Sequence, residues 1–252
     1  MLIRTENSKA IMEFLKEDLL INLNIIGIIE NEPEVKIYVD NVEKPKGVIV
    51  DKGYFYYIYS KDENFIEEAV ESFNKDGYYG FAGIEKAIAD KIKERYKQVD
   101  WDNPCTQYYL PKERLDISNI KNEVRNVDIK DVEVVDSYYE FRDSWSVERI
   151  REDIIKRPSS GVYKNGELVC WVLTHDDNSL GIMYTKEEHR KKGYAEDVTL
   201  DIAAKHMALG NIPYLQIIER NNMSPGLAKK CGFIECGKVV WFGIKVGDPK
   251  ED

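Results

Sequence analysis

The amino-acid sequence predicts an α+β protein in two domains, and three observations carry that reading. Helical and β-rich periodicities alternate in both halves, an Asn-Gly pair separates two β-rich runs, and a charged, aperiodic stretch divides the chain. Apolar residues three and four apart mark a helix that buries one face, whereas short β-branched and aromatic runs bounded by turn residues mark strands. At 252 residues the chain is long enough for two modest cores.

In the first half, Asn24 to Glu30 reads as helix, and Val35 to Val39, Gly47 to Val50 and Tyr54 to Tyr59 read as strands, separated by Pro45 and by Asp51-Lys52-Gly53. Phe65, Ile66, Ala69, Val70 and Phe73 then mark an amphipathic helix. Tyr78 to Ala82 is a further strand, Ile84, Ala87, Ile88 and Ile92 repeat at helical spacing, and Gln107 to Leu110 is a short aromatic strand. Charged residues without periodicity from Pro111 to Asn126 give domains at 1–115 and 127–252 with a linker at 116–126.

The second half opens with helices at Val134 to Phe141 and Val147 to Ile155, with Ser146 expected to cap the second and Pro158 to end it. Trp145, Tyr138 and Phe141 are expected to pack in the core. Asn165-Gly166 between Gly161 to Tyr163 and Leu168 to Thr174 predicts a hairpin, because a two-residue type I′ turn needs positive φ at both positions. Leu180 to Thr185 can pair next, a helix follows to about Leu209 with Gly210 as its stop, and Tyr214 to Ile218 is a strand. Pro225 to Lys230 is a short helix before Gly232-Phe233, and Val239 to Ile244 is the last strand.

The formal charge of −10 repels nucleic acid and anionic membrane, so a polyanionic ligand must meet a local basic cluster. Cys105, Cys170, Cys231 and Cys236 have no Cys-x-x-Cys spacing and the histidines are His175, His189 and His206, which suggests neither a metal site nor a disulfide framework. Neither a leader nor a membrane span is read, because the early apolar stretch Leu19 to Ile29 is interrupted by Asn22, Asn24 and Gly27. A cytoplasmic location is the expectation. The sequence is compatible with a homodimer.

The basic cluster is Lys186, His189, Arg190, Lys191 and Lys192, and it runs into Gly193-Tyr194-Ala195 between a predicted strand and a predicted helix. Backbone N–H groups of a first helical turn lack intrahelical partners, and the helix dipole favours an anion there. Gly193 and Ala195 let a phosphate approach those donors.

The order of elements from about Val127 to Val246, with Arg190-x-x-Gly193-x-Ala195, resembles the GCN5-related N-acetyltransferase (GNAT) superfamily. Asn221, Ser224 and Leu227 ahead of Gly232-Phe233 match its Asn-x-x-Ser/Ala-x-x-Leu…Gly-Phe pattern. The chain further resembles the glycine N-acyltransferases in Val169-Cys170-Trp171, Glu188-His189-Arg190 and Tyr59-Ser60-Lys61-Asp62. The resemblance implies tandem acyl-CoA N-acyltransferase folds, each with a mixed, mostly antiparallel sheet flanked by helices and the first copy degenerate. At the first copy's strand-to-helix junction, Ser60 to Asn64, there is no glycine and there are two carboxylates, so that junction is expected to cap its own helix and repel a pyrophosphate.

For the second copy the resemblance implies acetyl-CoA or another acyl-CoA as co-substrate and a small-molecule amine as acceptor. The pyrophosphate would rest on Arg190, Lys191, Lys192, Gly193, Tyr194 and Ala195, the pantetheine arm along Met183, Tyr184 and Thr185 where two strands splay, and Asn221 and Ser224 would assist. Ser179 occupies the place of the glycine N-acyltransferases' glutamate, so Glu219 is the expected base, with His175 as a second choice and Asp176 and Asp177 in a turn. Ala228 stands where many members have an acidic tyrosine, leaving Tyr184 to protonate the thiolate. Two alternatives stay open: protein or peptide N-acetylation, and a non-catalytic acyl-CoA-binding or regulatory module.

Overall fold

A computed structural model describes residues 1–247. The chain forms two compact units: unit 1 comprises Met1–Gln107, Gln216–Arg220 and the segment from Cys236 onward, and unit 2 comprises Tyr108–Leu215 and Asn221–Glu235. Residues 116–126 therefore group with unit 2, while residues 216–220 and most of the last strand group with unit 1.

The first half folds as β1 (Ile3–Thr5), α1 (Lys9–Lys16), α2 (Leu23–Asn31), β2 (Lys36–Val39), β3 (Gly47–Lys52), β4 (Phe55–Ser60), α3 (Glu63–Glu71), β5 (Gly77–Glu85), α4 (Lys86–Arg95) and β6 (Val99–Tyr109). The second half continues with α5 (Val132–Ser137), α6 (Ser146–Lys156), β7 (Ser160–Lys164), β8 (Glu167–Thr174), β9 (Leu180–Thr185), α7 (Tyr194–Ala208), β10 (Tyr214–Ile218), α8 (Ser224–Lys230) and β11 (Ile234–Val246). β1 and α1 are additions to the elements expected from sequence, and β6 is far longer than the Gln107 to Leu110 run.

The main sheet has the order β1-β2-β3-β4-β5-β11-β6-β10. Strands β1 to β4 pair antiparallel in succession, and β11 lies antiparallel to β5 from Gly77↔Val246 to Glu85↔Val239. The β4–β5 pair is parallel and is registered at Phe55↔Gly80 and Tyr56↔Phe81. The sheet is therefore mixed and mostly antiparallel. Side chains alternate across it, as a period of two requires. Ile49 and Ile58 join Phe65, Ile66 and Ile88 of α3 and α4 on one face, while Val48, Val50, Tyr57 and Tyr59 join Ile11, Leu15 and Ile28 of α1 and α2 on the other.

In unit 2, Asn165 (φ 52°) and Gly166 (φ 83°) make the expected hairpin turn between β7 and β8. Arg125 and Gly161 exchange backbone hydrogen bonds of 3.0 and 2.7 Å, and the Asp197 carboxylate accepts from the N–H groups of Lys121 (3.1 Å) and Asn122 (3.2 Å). The charged segment is thus anchored rather than loose. Ser146 is not the cap of α6: it is the first helical residue, fully buried, and its hydroxyl turns inward to the Asp136 carboxylate and the Asp143 carbonyl (2.9 Å). Trp145, expected in the core, is 72% exposed, and Phe141 and Tyr138 are also exposed.

His206 on α7 is buried and shares a 2.8 Å hydrogen bond between Nε2 and Thr174 Oγ1. Thr174 donates its own proton to the Pro158 carbonyl at 2.7 Å, so His206 must donate from Nε2, and its buried Nδ1 has no partner. Burial pushes its pKa down to about 4 from 6.5. The unfolded chain therefore binds a proton that the folded one refuses, so this stability is complete above pH 6.5 and is lost as pH falls toward 4. Between pH 7.5 and pH 5 the loss is expected to be about 2 kcal/mol at most. Urea unfolding of wild type and His206→Gln at both pH values checks this. The variant should show the smaller acid loss, and equal losses would remove His206 as the cause.

Candidate functional site

The junction between β9 and α7 carries the basic cluster. Lys191 (φ 61°) and Gly193 (φ 83°) both adopt left-handed backbone, and Gly193 serves as the N-cap of α7 without a side-chain hydrogen bond. Successive left-handed turns aim backbone N–H groups into one concavity. The first intrahelical bond runs from the Asp197 N–H to the Gly193 carbonyl at 3.1 Å. The N–H groups of Tyr194, Ala195 and Glu196 precede it and have no i−4 partner. They border a cavity of about 200 Å³ lined by residues that include Thr185, His189, Arg190, Gly193, Leu227 and Lys230. A Cβ built on Gly193 meets nothing within 4 Å, so the glycine faces open space.

The cations divide into committed and uncommitted groups. Lys186 is spent on Glu167 at 2.5 Å, and Lys230 on Glu196 at 2.5 Å. Arg190 donates to the Thr185 carbonyl (3.2 Å), Glu187 (3.3 Å) and the Tyr184 hydroxyl (3.3 Å), so it braces the loop against β9. Lys191 and Lys192 are exposed and make no ion pair among the described residues. His189 presents a buried Nδ1 with no partner beside the cavity, a donor or acceptor that its place in a basic run does not signal. These features fit a diphosphate: unpaired backbone donors, two free lysines and room at the glycine.

β7, β8 and β9 form a separate three-stranded sheet in which β9 has one neighbour, β8, so that among the described residues its other edge is unpaired. The β8–β9 ladder runs through Leu173↔Gly181 and then Trp171↔Tyr184, so Ile182 and Met183 lie together opposite Val172. This is a β-bulge. Ile182 sits at φ 49°, a left-handed conformation costly for a β-branched residue. Backbone strain of this kind persists where its surroundings hold it, and here it displaces the Met183–Thr185 edge from a regular ladder. Nothing in the residue type of Ile182 signals it. Tyr184 stacks on Tyr138 with ring centroids 4.5 Å apart and lies beneath the Arg190 guanidinium.

The other expected site residues sit in the β8–β9 turn, at the start of α8 and in unit 1. Ser179 is buried in the β8–β9 turn, where its N–H donates to the Asp177 carboxylate (2.8 Å) and its carbonyl accepts from His175 N–H (2.9 Å). His175 lies 3.6 Å from Asp153 and packs on Gly181. Burial opposes its protonation, but the Asp153 hydrogen bond and the nearby Asp177 and Asp176 charges outweigh it and raise its pKa. Asn221 accepts from the N–H groups of Met223 (3.1 Å) and Ser224 (3.0 Å) and donates to the Ser224 hydroxyl (3.0 Å). Both residues thereby shape the start of α8, and neither lines the cavity. Glu219 belongs to unit 1, where it is half exposed and 3.1 Å from Lys238 Nζ.

The first half's junction behaves oppositely to the second. Asp62 accepts from the Phe65 N–H at 3.0 Å, and Ser60 Oγ accepts from the Asp62 N–H at 2.9 Å. The Phe65 N–H and then Lys46 hold the Asp62 carboxyl below the usual carboxylate range. A carboxylate already fills the place an anion would take.

Residues 159–242, from β7 into β11, match the FR47-like protein family. Among solved structures, a Drosophila protein superimposes with a TM-score of 0.81 over 96% of this chain and 98% of its own at 14% identity. A tandem GNAT protein from the clavulanic acid biosynthesis pathway covers 99% of this chain and 100% of its own, with a TM-score of 0.59 and 11% identity. A GNAT-family acetyltransferase from Colwellia psychrerythraea covers 97% of this chain and 100% of its own, with a TM-score of 0.55 and 12% identity. No curated protein matches the chain in sequence. The fold is that of the GNAT acetyltransferases, tandem GNAT proteins included.

Proposed function

We propose that the chain is an acyl-CoA-dependent N-acyltransferase, most simply an N-acetyltransferase, acting on a primary amine of a small molecule or amino acid. The observation that carries the reading is the Lys191–Glu196 cradle placed directly after a bulged edge strand in unit 2. Acyl-CoA would supply a thioester, whose acyl carbon accepts the amine and whose thiolate departs.

The backbone N–H groups of Tyr194, Ala195 and Glu196 bind the diphosphate, with Lys191 and Lys192 adding charge. The unpaired edge of β9 offers Met183, Tyr184 and Thr185 backbone groups to the amides of the pantetheine arm, in the manner of an added strand. A backbone N–H at the bulge would stabilise charge on the carbonyl oxygen. Glu219 is the base that collects the amine proton, and Tyr184 the acid that returns one to sulfur. The likeness to glycine N-acyltransferases makes α-amino acids the first acceptors to test.

Thiol release from acetyl-CoA with a panel of amines, amino acids and peptides tests the activity. Amine-dependent release supports the reading, and peptide-only turnover would redirect it to protein acetylation. A binding-only module is favoured by one observation: Ser179 and Ala228 are both buried, and neither supplies the acid or base of the family pattern. CoA binding without turnover on any amine would establish that alternative. Glu219→Gln is expected to lower kcat by about 10²-fold with CoA affinity nearly unchanged. Unaltered kcat would remove Glu219 from the role.

A further inference from the structure

We propose that unit 1 carries a second small-molecule site, a cleft at the C-terminal ends of β4 and β5 that binds a primary ammonium group on the Glu85 carboxylate. This goes beyond the acyltransferase reading and does not depend on it. The cleft encloses about 620 Å³, and its charged lining consists of Asp18, Lys61, Glu85, Lys86, Asp90 and Lys238, all within unit 1. β4 and β5 are in register only at Phe55↔Gly80 and Tyr56↔Phe81 among the described residues, and the cleft lies beyond these rungs, at Lys61 and Glu85.

Five of the six charges are already matched. Asp18 accepts from the Tyr59 hydroxyl and pairs with Lys61, Lys86 lies 2.6 Å from Asp90, and Lys238 is 3.1 Å from Glu219. Glu85 is the exception. It ends β5 opposite Val239, its side chain makes no capping bond to α4, and it has neither a hydrogen bond nor an ion pair among the described residues. Burial first, and the Asp18 charge next, raise its carboxyl above the ordinary glutamate range, with the Lys61 charge opposing them. A half-buried carboxylate beside a second carboxylate is relieved by a cation, and a hydrogen-bonding cation adds directional bonds.

The chemistry of that cation follows from the lining. A divalent metal needs several oxygen ligands, and only one carboxylate here is uncommitted. An anion is disfavoured, because Asp62 fills the first turn of α3 and Glu85 itself would repel it. An alkylammonium group, with three N–H donors and an apolar stem that can lie against Ile21 and Ala87, matches both the free charge and the mixed lining.

Butylammonium is the probe, with butanol and butyrate as its neutral and anionic counterparts, titrated into the isotope-labelled full chain by NMR. Saturable shifts are expected for butylammonium, with affinity about tenfold or more above either counterpart. Glu85→Gln, which keeps the shape and removes the charge, should abolish that preference while its unfolding midpoint and CoA affinity stay at wild-type values. Gly193→Val should leave butylammonium binding intact, which separates failure of this site from failure of the CoA site. Absence of saturation, equal binding of the three compounds, or full preference retained in Glu85→Gln each overturns the proposal.

Discussion

Gly193→Val is expected to weaken CoA binding by about 100-fold or more while leaving the fold in place. Two effects act together. Gly193 sits at φ 83°, where a β-branched residue is strained by about 1–2 kcal/mol, so the variant resists the turn that aims the α7 donors. Valine also adds bulk in a direction where a Cβ meets no protein atom within 4 Å, which is the open space an anion needs to reach the Tyr194–Glu196 N–H groups. Gly193→Ala separates the two, since it carries most of the φ cost and little of the bulk. Calorimetric titration with CoA should rank wild type, alanine and valine in falling affinity, and thermal unfolding should show both variants folded. Lys191→Ala and Lys192→Ala should each cost a few-fold, with a shallower salt dependence than wild type, because they remove charge without closing the cradle. Wild-type affinity in Gly193→Val would move the CoA site elsewhere.

What the sequence disclosed is local chemistry. Asn165-Gly166 and Gly193 were legible because positive φ strongly selects residue type, and Asp62 because a carboxylate before an amphipathic run caps it. Pairing between distant segments was not legible. Val239 to Ile244 alternates in the same way whichever strand it joins, and only the fold places it beside β5. Ser8 followed by Ile11 and Leu15 carried a recoverable signal for α1, a cap and one buried face, but the helix is only eight residues long. Asn221 and Ser224 illustrate a motif whose visible work here is structural: their pattern matches the superfamily, and their hydrogen bonds close the turn that leads into α8. The base and the acid are the roles that local pattern specifies least. Which carboxylate or hydroxyl meets an acceptor depends on where strands end, and Ser179 proves to be part of a tight turn.

Deleting Ile182 is expected to yield a protein that is at least as stable as wild type and binds CoA, yet turns over about 10² or more times slower. Leu173↔Gly181 and Trp171↔Tyr184 are three residues apart on β9 and two on β8, so removing one residue restores a regular ladder and leaves both flanking pairs in register. The deletion also removes a β-branched residue at φ 49°, relieving about 1–3 kcal/mol of strain. It places Met183 alone opposite Val172, where a regular pleat fixes its backbone groups instead of displacing them along the edge. The Gly193 cradle follows Thr185 and is untouched by this change. Ile182→Gly is the companion variant: it keeps the bulge, accepts the left-handed backbone and should retain turnover. A deletion variant with wild-type kcat would separate the bulge from catalysis, and one that lost stability would show that Ile182 holds the sheet rather than straining it.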